Sequence, residues 1–78
     1  MKFNEWDKVI KYATKACKKC AHNTLFRVYT MYDGRKGIQF TLFDSLGNEF
    51  AFCNTGCQTT YAEFKNAIDT CISRLKEV

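Results

Sequence analysis

A chain of 78 residues, 46% hydrophobic and 26% charged, has material for one domain with one core and is too apolar to be intrinsically disordered. Seven Phe, four Tyr and one Trp supply large side chains to bury, so an ordinary core suffices without disulfide or metal staples. The net charge of +4 points toward acidic partners, and no stretch approaches the ~20 apolar residues a membrane span needs. The opening MKFNEWD lacks the basic-then-apolar pattern of a signal peptide, so the expectation is a soluble, intracellular, cytoplasmic protein without a membrane partner.

The first predicted element is a helix from residue 4 or 5 to about Cys20, with Asn4 as N-cap. Glu5 and Asp7 suit its positive end, and Lys18 and Lys19 its negative end. At roughly 100° per residue, Trp6, Val9, Ile10, Ala13, Cys17 and Cys20 gather on one side. Lys8, Lys11, Lys15, Lys18 and Lys19 gather on the other. The apolar side docks on a core, and the lysine side is offered to solvent or to a partner. A solvated lysine face serves solubility as readily as it serves binding.

Three strands follow. Residues 24–32 (TLFRVYTMY) are rich in β-branched and aromatic side chains, residues 37–43 (GIQFTLF) alternate, and residues 48–53 (NEFAFC) set Phe50 and Phe52 in phase. The intervening DGRKG and DSLGN are hairpin turns, so the strands form an antiparallel meander. A second helix is predicted over 60–76. Thr60 and Glu63 match a capping box there, and Tyr61, Phe64, Ile68, Cys71 and Leu75 form its buried stripe. The fold expected is α+β, in the order α-β-β-β-α, with both helices on one face of a three-stranded antiparallel meander.

Alternation puts Phe26, Val28, Ile38, Phe40, Leu42, Phe50 and Phe52 toward the helices. The other side receives Leu25, Arg27, Tyr29, Met31, Gln39, Thr41, Phe43, Glu49, Ala51 and Cys53. Tyr29, Met31 and Phe43, beside Arg27, make that open face unusually apolar for a solvated surface, as an interaction site or a homodimer seam is.

Five cysteines invite a zinc reading, since Cys17-x2-Cys20 and Cys53-x3-Cys57 approach structural zinc spacing and His22 is a substitute ligand. The meander argues against it. A seven-residue strand spans roughly 23 Å, which sets the two pairs at opposite ends of the sheet. Cys71 is expected back near Cys17 or Cys20. The Cys17/Cys20 pair ends a helix rather than starting one, where the dipole disfavours a redox thiolate. Cys57, just before the second helix, is the better candidate for a reactive thiol, but His22 lies at the other end and forms no dyad with it. Gly34, Gly37, Gly47 and Gly56 lack phosphate-loop spacing. The reading is therefore a non-enzyme without metal or cofactor.

The element order is similar to that of double-stranded RNA-binding domains. DGRKG lacks the proline and histidine usual after their first strand, and QTTYAEFK is not their lysine-rich helix start, so membership is not inferred. An open sheet with aromatics and Arg27 is similar to single-strand RNA readers, without their glycine-aromatic strand signature. In size and make-up the chain resembles small phage-encoded inhibitors of host machinery, anti-CRISPR proteins among them, a likeness that no motif carries. The function expected is a small binding module acting on a larger, nucleic-acid-processing protein complex with an acidic surface. Its contacts are the five lysines with Arg35 and Lys36, or the open face with Arg27, Tyr29, Met31 and Phe43. The alternatives are direct nucleic-acid binding through the basic face, and self-association as a homodimer through the sheet.

Overall fold

The structure is a computed structural model that describes residues 5–20, 22–56 and 58–78. Its elements are α1 (Trp6–Lys19), β1 (Asn23–Thr30), β2 (Lys36–Phe43), β3 (Glu49–Asn54) and α2 (Tyr61–Lys76). The strands form one antiparallel sheet in the order β1-β2-β3. Helix α1 packs on β1 and α2, while α2 also lies on β2 and β3, so the core is a single seam between a helix layer and a sheet.

Helix α1 begins one residue later than its expected start. Glu5 holds the N-cap position, its carbonyl accepting from the amides of Lys8 (3.0 Å) and Val9 (3.2 Å). Asn4 lies outside the described residues. At the other end Cys20 is already extended, with ψ 139°. For α2, the Thr60 hydroxyl accepts from the amide of Glu63 at 3.2 Å, the first half of a capping box. The second half is diverted. The Glu63 carboxylate accepts from the Thr59 hydroxyl at 3.3 Å, one residue before the cap.

Asp33 and Asp44 organise the two hairpin turns. The Asp44 carboxylate accepts from the amides of Leu46 and Asn48, both at 2.9 Å, while Gly47 takes the positive φ of +86° that the turn requires. The Asn48 amide above all, followed by that of Leu46, holds the Asp44 carboxyl below its ordinary value. Its stabilising effect is therefore complete above the ordinary carboxylate range and is lost as pH falls through the lower folded value. An acid titration of the urea midpoint should show a steeper fall for the wild type than for Asp44→Asn, which accepts the same bonds without a titrating charge.

The centre of the core is β2, with Ile38, Phe40 and Leu42 fully buried beneath Val9 and Ala13 of α1 and Phe64, Ile68, Cys71, Ile72 and Leu75 of α2. Phe26 packs on Phe40 across the β1–β2 pair, with ring centroids 5.9 Å apart. Val28 shares this inward side, opposite Ile38, but on an outer strand it remains partly open.

Strand β3 departs from its expected phase. The turn pairs Asp44 with Asn48, and the next step pairs Phe43 with Glu49. Continued without interruption, that ladder would set Phe50 opposite Leu42 and Phe52 opposite Phe40, both facing the core. A β-bulge at Leu42/Phe43 instead adds one residue to β3, so that Ala51 pairs with Leu42 and Cys53 with Phe40. One extra residue turns every later side chain over. Ala51 and Cys53, expected outside, pack against the core, while Phe52, expected inside, is 65% exposed. Phe50, the bulged residue, is also exposed, its ring edge-on to His22 with centroids 5.8 Å apart. The physical reason lies in α2, which presses on β3 closely enough to bring the Cys71 sulfur 3.0 Å from that of Cys53. Alanine and cysteine fit under that helix, and two phenylalanines would overfill the space.

Candidate functional site

The side of the sheet turned from the helices is built from rows of directly opposed residues. Leu25, Thr41 and Phe52 form the middle row. Arg27, Gln39 and Asn54 flank it on one side, and Asn23, Phe43 and Glu49 on the other. Opposed side chains on one face stand about 5 Å apart at Cβ, so these rows are contiguous. Leu25 is as open as Phe52. Leu25, Thr41, Phe43 and Glu49 border a shallow depression of about 240 Å³, with the Arg27–Gln39 pair at its edge. The Arg27 Nε donates to Gln39 Oε1 at 3.0 Å, which ties the guanidinium to the neighbouring strand. One positive and one negative corner thus bracket an apolar middle.

The structure brings Arg27, Tyr29 and Phe43 to this side of the sheet and sets Met31 apart from it. Tyr29 opposes Gly37, and its ring occupies the space where a Cβ on Gly37 would stand. Met31 lies past the end of β1, half-buried, its amide donating to the Arg35 carbonyl at 2.7 Å. Sequence reasoning missed Phe52 because the bulge reverses the alternation. The signal available was the small size of Ala51 and Cys53, which suits a closely packed helix better than Phe does.

All five lysines of the α1 stripe (Lys8, Lys11, Lys15, Lys18 and Lys19) are exposed on the helix layer, the opposite side of the molecule. Lys8 pairs with Glu5 at 3.6 Å. Lys15 and Lys19 border a cleft of about 230 Å³ between the helices, to which α2 adds Lys76 and Asp69. The Tyr12 hydroxyl donates to Asp69 across this cleft, and that bond above all, with burial second, pushes the phenol up to about 12. Lys65 stands over the Tyr12 ring, 5.7 Å from its centroid.

Arg35 and Lys36 are exposed at the β1–β2 turn, where Arg35 is paired with a carboxylate. The Arg35 Nε donates to the Asp33 carboxylate at 2.7 Å. The Lys36 ammonium donates to the Thr30 hydroxyl at 3.3 Å and lies 6.0 Å from the Trp6 ring centre. Trp6, Asp33, Arg35 and Lys36, with Gln58 and Phe64, line a cavity of about 390 Å³ where the β1–β2 turn approaches the start of α2.

Among the described residues, no three His, Cys, Asp or Glu side chains gather where a metal could be held. Cys57 lies outside the described residues. Burial first, and Cys20 second, push the Cys17 thiol up to about 11, away from a nucleophilic thiolate. Cys71, expected near Cys17 or Cys20, has its sulfur beside that of Cys53, since α2 packs on β3 as well as on α1. Among the described residues, no helix is long and apolar enough to cross a membrane. No protein-family model matches this chain, nor does any curated protein or solved structure.

Proposed function

We propose that this protein is a non-enzymatic binding module that docks on a larger protein assembly through the uncovered side of its sheet. The observation carrying this reading is the row Leu25–Thr41–Phe52, in which two large apolar side chains stand in the open on the centre of a regular face. A bulge holds Phe52 there when the uninterrupted ladder would bury it. Apolar patches rimmed by polar groups are characteristic of protein contacts, and Arg27 and Glu49 supply the rim. The lysines of the helix layer steer the module toward acidic assemblies, and such long-range attraction acts on association rate more than on final affinity.

A second reading rests on Lys15, Lys19 and Lys76, which converge on the interhelical cleft and offer a track for a nucleic-acid backbone. One experiment separates the two. Capture from the native host, with and without nuclease, is run for the wild type, Phe52→Glu and Lys15→Glu/Lys19→Glu. The sheet reading expects nuclease-resistant partners, lost with Phe52→Glu and kept with the lysine variant. The reverse pattern, with partners released by nuclease, moves the function to the cleft.

A further inference from the structure

We infer that Cys53 and Cys71 are a thiol-oxidation site that closes to an intramolecular disulfide when the protein meets a small-molecule disulfide such as oxidised glutathione. The two residues are 18 apart in the chain, and their sulfurs stand 3.0 Å apart between β3 and α2. Both are free thiols. Their surroundings divide the labour. Cys53 is half-buried on an outer strand of the sheet and is the more open of the two, while Cys71 is buried.

The chemistry balances in two exchange steps. The Cys53 thiolate attacks one sulfur of the glutathione disulfide, forming a mixed disulfide and expelling one glutathione thiolate. The Cys71 sulfur then attacks Cys53 Sγ, forming the protein disulfide and expelling the second glutathione. The protein loses two electrons and two protons, and both protons finish on the two glutathione thiols. Burial first, and the bond with Cys53 second, push the Cys71 thiol up to about 12, so the second step accelerates as pH rises. Proximity makes that step intramolecular, which compensates for the small thiolate fraction.

Closure ties β3 to α2 in the register that pairs Cys53 with Phe40 and leaves Phe52 outside. The inference itself needs no docking partner. It is tested by incubating the whole protein with excess oxidised glutathione at pH 8, alkylating the remaining thiols and mapping the linked peptides. The expected product is 2 Da lighter (about two hydrogens), carries a Cys53–Cys71 link before any other, and melts on the order of 10 °C higher. In Cys71→Ala the reaction should stop at a glutathione adduct on Cys53, and in Cys53→Ser neither adduct nor link should form at this site. A first link through Cys17, Cys20 or Cys57, or no link at all, overturns the inference.

Discussion

Replacing Phe40 by alanine should cost about 3–5 kcal/mol of folding stability, the range for a buried phenylalanine whose cavity cannot fully collapse. Phe40 is fully buried at the middle of β2, directly opposite Phe26 and Cys53, in one core cluster with residues of both helices. A domain of this size holds only about 4–12 kcal/mol in total, so the variant should be largely unfolded at moderate urea. The informative control is Phe52→Ala, one ladder step away on β3. At 65% exposure it should cost well under 1 kcal/mol. Equal urea midpoints for the two variants would mean that Phe52 lies in the core and that the docking surface has been assigned to the wrong side.

The second large effect belongs to Gly37→Ala, expected to destabilise by about 1–3 kcal/mol. Strand propensity and loss of chain entropy both favour alanine here, together by about 1 kcal/mol. Space decides against it. A Cβ on Gly37 would stand 2.6 Å from the Gly56 carbonyl oxygen and against the Tyr29 ring. The ring can rotate away, but the carbonyl is backbone, held in a segment where the Thr55 amide donates to Ile38 (2.9 Å) and the Ile38 amide to the Thr55 hydroxyl (3.0 Å). A thermal melt should show a loss on the order of 10 °C. Adding Tyr29→Ala should recover only part of it, and full recovery would mean that the ring alone was the obstacle.

The element order and all five elements were legible because their signals are local. The α1 stripe, the β2 alternation, the two Asp-Gly turns and the Thr60 cap each lie within a short window, and each boundary fell within two residues of expectation. The buried stripe of α2 was legible for the same reason, with Ile72 added at its edge. What failed was long-range. The side on which Phe52 sits depends on a bulge whose cause is the close approach of α2, which brings Cys71 against Cys53, eighteen residues earlier in the chain. Periodicity cannot see a helix pressing on a strand. The basic stripe was legible on α1, whereas the pairing of Arg35 with Asp33 and the placement of Lys36 beside Thr30 and Trp6 depend on the turn's own geometry.

Only one of the two conceivable settings of β3 fits beneath α2. Sliding it by one residue would remove the irregularity, swallow Phe50 and Phe52, and push Ala51 and Cys53 out to the far side. The exposure of Phe52 is thus decided by a single notch in one ladder, and the sulfurs of Cys53 and Cys71 meet only in the setting that shows the aromatic ring. A substitution beneath α2 that removed the notch would therefore change the far side of the sheet without touching a residue on it.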